Sequence, residues 1–265
     1  HNLNKSISKL FSNNINEKSD PDKSAQIEKV KKSFKYSGTL GNNKEGYIQA
    51  IDYDNLLDIA ERYDMMLCCH NRPGFFLVNK DVLMEVFSNS DITDEIKKEI
   101  QLAYVFGPKR TPTQDAEFAL HQVVEIAARA LSPGINDPFT ALTCIDKLSS
   151  VMCHLTHVSF PNPILFDNEE QPRVIRTTPL TFSGMMDTAF NMIRQYGKDN
   201  PPVLIRLMEA FTVINNQAEN KEHGKSVKRH AKMVLKAAED TMTEKNDLKD
   251  MKERFSNFTK DSPEK

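Results

Sequence analysis

Glu117, His121, Glu125 and Arg129 recur at every fourth position of the stretch AEFALHQVVEIAARA. In a helix this spacing stacks them along one side, with a slow drift around the axis. Glu125 and Arg129 can then pair, and His121 can bridge toward either glutamate. An imidazole, two carboxylates and a fixed cation are the parts of a hydrolase or transferase site. They also suit a polar seam facing a ligand, a pore or another subunit. A plainer reading of the same residues is a solvated helix face, with ion pairs of roughly 0.2–0.5 kcal/mol each. The flanking Ala119, Val123, Val124, Ile126, Ala127 and Ala128 make the helix apolar around most of its circumference. That places it inside a larger body and calls for partial burial of the seam. Glu-x3-His-x3-Glu also offers donors for a divalent metal. No second histidine of zincin spacing follows, so no metal site is assigned.

The turn Ser132-Pro133-Gly134-Ile135-Asn136-Asp137-Pro138 ends this helix and starts the next. Pro133 and Gly134 stop the first, while Asp137 and Pro138 form an N-cap and first-turn pair for the second. Ser132 or Asn136 can tie the turn through side-chain to backbone bonds. The N–H groups opening the second helix would suit a small anion, with Arg110 and Arg129 as candidate cations. Capping alone accounts for every residue of the turn. The ligand-binding candidates are therefore Arg110, Glu117, His121, Glu125, Arg129, Ser132, Asn136 and Asp137, with no residue assigned as catalytic.

Cys144, Cys153, His154 and His157 form a second cluster, with the spacing C-x8-C-H-x2-H, which matches no zinc motif. The thiols read as small core residues and the histidines as favourable charges at a helix C-terminus. The two cysteines lie about 13 Å apart along a helix, too far to bridge. Cys68 and Cys69, adjacent on a strand, point to opposite faces. Reduced thiols fit a reducing compartment. No G-x-S-x-G, P-loop, G-x-G-x-x-G or H-E-x-x-H is present, so no cofactor is implied and an enzyme is the less favoured class.

The elements holding these residues follow from periodicity. Strands are expected at 36–40 and 46–51 around a Gly/Asn turn, then at 65–70, 75–78 and 82–87, with a helix capped by Asp52 or Asp54. A further helix starts near Asp91. Helices then follow near 114–131, 138–155, 180–197, 201–219 and 223–243, with a charged extension to about 257. Residues 158–166 and 173–177 could pair as a hairpin. The fold class is α+β: a small, mostly antiparallel β module (36–90) packed on, or hinged to, a larger helical domain (91–243), followed by a charged tail (244–265) that frays.

A net charge of −2 and a pI near 6.4 give no basic field for nucleic acid, which is not expected as a partner. No apolar run approaches the roughly 20 residues that span a bilayer. Residues 1–35 hold eight lysines against four acidic residues. Leu3, Ile7, Leu10, Phe11 and Ile15 fall at helical spacing among them. Residues 1–15 therefore read either as an amphipathic segment on an anionic membrane surface or as a solvated chain end. A chain that opens on His1 is expected to be a piece of a longer one.

GYIQAID (46–52), RPG (72–74), DAEFALHQVVEIAARALSPGINDPFTAL (115–142) and FNMIRQYGKD (190–199) together resemble the DUF2254 family of bacterial predicted membrane proteins, over roughly residues 36–215. In that family several transmembrane helices precede a soluble carboxy-terminal region. The resemblance implies that this chain is the soluble part and that residues 1–15 lie just past the last membrane helix. Phe75 departs from the Asp that follows the family's turn, and Asn79-Lys80-Asp81 from its later Gly. A ligand shared through that module is thereby put in doubt. The expected role is the cytosolic domain of a polytopic inner-membrane protein, a homo-oligomer that regulates or gates its own membrane-spanning region. A hydrolase or transferase at the 114–131 seam is the alternative.

Overall fold

The run Met65-Met66-Leu67-Cys68-Cys69 is buried at every position, which a strand achieves only when both faces of its sheet are covered. The computed structural model describes Phe11 and residues 23–260 and shows how that happens. This run is β3, the middle of a five-stranded sheet ordered β1-β5-β3-β8-β7. Its strands are β1 (Tyr36–Gly41), β3 (Met65–Cys69), β5 (Val82–Ser88), β7 (Ile164–Phe166) and β8 (Pro172–Arg176). All neighbours are antiparallel except β3 and β8. Met65, Leu67 and Cys69 join a core with Leu56 and Ile59 of α2 (Tyr53–Arg62) and Ile100 of α3 (Asp94–Leu102). Met66 and Cys68 face the other way, under Ile27, Val30 and Phe34, from α1 (Lys23–Ser33) and just beyond it. The adjacent cysteines thus lie on opposite faces, and all four thiols are free.

A three-stranded sheet, β4-β2-β6, is built from β2 (Gly46–Ile51), β4 (Phe76–Leu77) and β6 (Tyr104–Gly107). The strands at 36–41 and 46–51 therefore flank their turn without pairing. The first is held by β5, the second by β4 and β6. The hairpin expected within the helical part instead extends the five-stranded sheet, through Leu67↔Val174 and Cys68↔Ile175. Val174 is fully buried, and its strand, lying between β3 and β7, completes the sheet rather than standing in a separate two-stranded ribbon.

The chain divides into two units. The sheet unit covers residues 12–118 and 161–179; the helical unit takes in Ala119–Phe160 and the chain from Leu180 onward. The division falls within α4 (Ala116–Ala130), after Phe118. The helical unit continues with α5 (Pro138–Leu155), α6 (Phe182–Tyr196), α7 (Pro201–Asn216), α8 (Lys221–Thr241) and α9 (Lys245–Lys260). Each start from α5 to α8 carries its own cap: Asp137, Thr181, Asn200 and Asn220 accept an N–H from three residues ahead. Pro138 and Pro201 occupy first-turn positions where the missing N–H costs nothing. Leu204, Leu207, Met208 and Phe211 of α7 are fully buried, as are Phe190 of α6 and Val234 of α8.

Within the charged carboxy-terminal stretch, Lys245–Lys260 form a packed helix instead of a frayed tail. Leu248, Met251, Phe255 and Phe258 recur at helical spacing, and Met251 and Phe258 are buried. Arg254 adds an ion pair to Glu209 of α7 at 2.6 Å. Most of the leading amphipathic stripe lies outside the described residues. Phe11 alone is described; it is buried and sets its ring edge-on to Phe160 at 5.1 Å, so that ring faces protein. Among the described residues no helix is long and apolar enough to cross a membrane.

Candidate functional site

The candidate residues fall in two places, and the sheet unit holds the first. Asp115 caps α4 by accepting the Phe118 N–H at 3.0 Å. Its carboxylate also takes two bonds from the Arg110 guanidinium, at 2.7 and 2.9 Å. The Asp115 side chain is almost wholly buried, so the two charges must be paired to be tolerated there. Glu117, expected to look along the helix toward His121, receives a bidentate pair from Arg72 at 2.8 and 3.0 Å. Gly74 sits beside this cluster at φ 96°, where a Cβ would come within 2.3 Å of the Asp115 carboxylate. Only glycine meets both demands. Gln114 pairs its side-chain amide with both the N–H and C=O of Ile51, at 2.9 and 3.2 Å, substituting for a strand neighbour. The RPG turn and the end of β2 are thus fastened to the start of α4.

The turn at 78–81, where the sequence departs from the family pattern, is self-contained. Val78 N–H donates to Asp81, while Asn42 exchanges backbone bonds with Asp81 and Lys80.

In the helical unit α4 turns Ala119, Leu120, Val124, Ala127 and Ala128 inward and leaves His121, Gln122, Glu125, Ile126 and Arg129 exposed. The partial burial expected of the seam is met at Glu117; from His121 onward the helix presents an open polar face with one apolar residue in it. Arg129 donates to Glu125 at 2.7 Å, and both side chains are about two-thirds exposed. The turn beyond is held by its own atoms. Ser132 Oγ donates to the Arg129 carbonyl, the Asn136 N–H donates to the Ser132 carbonyl, and Asn136 adopts the left-handed region at φ 48°. Asp137 accepts from the Thr140 N–H and hydroxyl, which hold its carboxyl below the usual range. Ile135 and Phe139 project to the surface, Phe139 with 79% of its area exposed.

A groove of about 690 Å³ runs between α4 and α6, with His121, Glu125, Arg129 and Ser132 on one wall and Asp187 and Asn191 on the other. Behind that second wall lies a network absent from the sequence reading. Arg229 donates to Asp187 at 2.9 Å, and Asn191 Nδ2 donates to Asp187 at 3.0 Å. Burial works to raise the Asp187 carboxyl, but the Arg229 guanidinium outweighs it and holds it below the ordinary range. His230 lies 1% exposed with Nε2 3.2 Å from Asp187, yet without hydrogen-bond alignment. Burial pushes its imidazole down to about 4, so at neutral pH it is uncharged and the contact is not an ion pair. Asp187 and Asn191 share a helix face at four-residue spacing, the one trace of this network in the sequence.

Along α4 the groove is thus faced by the His121 imidazole and by the Glu125 carboxylate paired with Arg129. Among the described residues no three His, Cys, Asp or Glu side chains converge as metal ligands.

No solved structure matches the chain. Uncharacterised proteins of Mycobacterium bovis and Mycobacterium tuberculosis are each 26% identical to it over 212 residues, 76% of this chain and 39% of theirs. The chain therefore spans well under half the length of these relatives. A family model described as a predicted membrane protein, DUF2254, matches residues 1–213. With so much of its length matched, and with the segments at 46–52, 72–74 and 115–118 joined by direct contacts, the chain belongs to the DUF2254 family.

Proposed function

We propose that this chain is the cytosolic region of a polytopic inner-membrane protein, which associates with copies of itself and regulates or gates the membrane-spanning part. Membership of a predicted membrane protein family carries the reading, because no described helix could itself span a bilayer. The spanning segments then belong to other parts of a longer protein, in keeping with relatives that extend well beyond the matched region. Self-association is supported by Ile126, Ile135 and Phe139, large apolar side chains left in water on α4, the following turn and α5. Side chains of this size gain roughly 1.5–3 kcal/mol each when fully buried, which a second copy can supply. Membrane contact through residues 1–15 would add to anchoring; Phe11 takes no part in it.

Phe139→Asp tests the association. Position 139 lies in the first turn of α5, where a carboxylate favours the helix, so the fold is retained. The full-length protein in detergent should have the mass of a defined oligomer, and the variant that of a smaller species. A monomeric parent, or a full-length protein that needs no detergent, overturns the proposal. The hydrolase or transferase reading rests on the α4 groove. It would gain from a turnover that His121→Ala abolishes without changing the oligomer.

A further inference from the structure

A second cleft, of about 600 Å³, opens between α6 and α8, and Arg194, Lys198, Lys232 and Lys236 line it with a single carboxylate, Asp240. Asp240 is taken by Lys236 at 2.7 Å. Arg194, Lys198 and Lys232 have no carboxylate partner among the described residues. This is unusual for the molecule. Eight of the ten arginines in the described residues reach an acidic side chain. A ninth, Arg176, lies over the Tyr53 ring at 3.9 Å. Arg194 has neither kind of partner, and its Nε is buried with no acceptor.

We infer that this cleft binds a phosphate-bearing anion, with Arg194, Lys198 and Lys232 as its ligands. A guanidinium matches two phosphate oxygens at once, and two flexible ammonium groups take the remaining charge. Three unmatched cations on concave walls also concentrate positive potential, although the protein as a whole carries −2. The Thr241 hydroxyl donates to the Lys198 carbonyl and fixes the backbone of that rim to α8. Met233 and Ala237 add an apolar floor. The volume exceeds one phosphate group, so an organic substituent fits beside it. That substituent can belong to a soluble phosphoester or to a phospholipid headgroup. The site goes beyond the membrane reading, since nothing in its geometry depends on a bilayer.

The test uses the whole chain and two probes at low salt: inorganic phosphate, followed by calorimetry, and vesicles of equal parts phosphatidylcholine and phosphatidic acid, followed by sedimentation. Binding of free phosphate assigns the soluble source; binding to the acidic vesicles alone, and not to pure phosphatidylcholine, assigns the headgroup. In either case Arg194→Gln and Lys232→Gln should each weaken binding about fivefold, the effect of one cation at an anionic surface. Neither variant should lower the melting temperature, because each removes an unmatched charge. Lys225→Gln, on the same helix but paired with Glu222 outside the cleft, should bind as the parent does. Equal weakening by Lys225→Gln, unchanged binding in the cleft variants, or no binding of either probe overturns the inference.

Discussion

The buried arginine pairs of the sheet unit and the α6–α8 cleft of the helical unit treat their cations in opposite ways. In the sheet unit Arg72, Arg110 and Arg173 each meet carboxylates at 2.7–3.0 Å, two of the partners being Asp115 and Asp167, both nearly inaccessible. In the helical unit Arg194, Lys198 and Lys232 share a cleft and meet none. Matched, buried pairs hold a conformation and leave no capacity for a ligand. Unmatched charges do the reverse: they add nothing to the fold and keep their full attraction for an incoming anion. The contrast separates residues that build this molecule from residues it leaves open.

The largest effect should follow from breaking a matched pair. Asp115→Ala removes the α4 cap and takes from Arg110 a buried carboxylate that it meets through two hydrogen bonds, at a cost of about 3–5 kcal/mol. Urea denaturation followed by circular dichroism should show an earlier midpoint for the variant. Retained stability would mean that the pair is dispensable and the contrast is wrong.

A smaller effect sharpens the contrast within the helical unit. His230 is buried with an imidazole pushed down to about 4, whereas in the unfolded chain it titrates near 6.5. As pH falls, the unfolded form takes up the proton first. Stability is therefore full above about 6.5 and declines toward about 4, by on the order of 3 kcal/mol. The groups facing it are Asp187, Arg229 and Arg194, with the Phe190 and Phe211 rings against the imidazole. His223, lowered by burial as well, acts in the same direction. Thermal melting between neutral and mildly acid pH should fall more steeply for the parent than for His230→Leu. Parallel profiles would show that His230 is not responsible.

Much of the fold is written in local signals. The cap and proline before α5 place that helix at 138–155, and the small-residue turn before it folds as its capping residues require. What escaped is what depends on distant partners. Nothing near Val174 says that it will lie parallel to Leu67, more than a hundred residues earlier. Charge density in the last segment hides the spacing of Leu248, Met251, Phe255 and Phe258, which makes it a packed helix. For the site, helical spacing correctly pairs Glu125 with Arg129 but cannot reveal that Glu117 turns to Arg72, a partner brought by the RPG turn. The α6–α8 cleft was illegible for the same reason, since its cations come from segments some forty residues apart.

The smallest predicted effect bears on the seam itself. Glu125 and Arg129 lie one helical turn apart, and both are mostly in water. Solvent screens such a pair, so Glu125→Gln should change stability by no more than about 0.5 kcal/mol in urea denaturation. Glu117→Gln, in the same stripe but bonded to Arg72 with little exposure, should cost clearly more. One row of side chains thus contains a fastening at its start and an open pair at its end. If the two substitutions prove equally mild, Glu117 is not a fastening, and the stripe must be treated as a single surface. If Glu125→Gln is the more damaging, the exposed end carries a contact from outside this chain, and the α4 groove becomes the place to look for it.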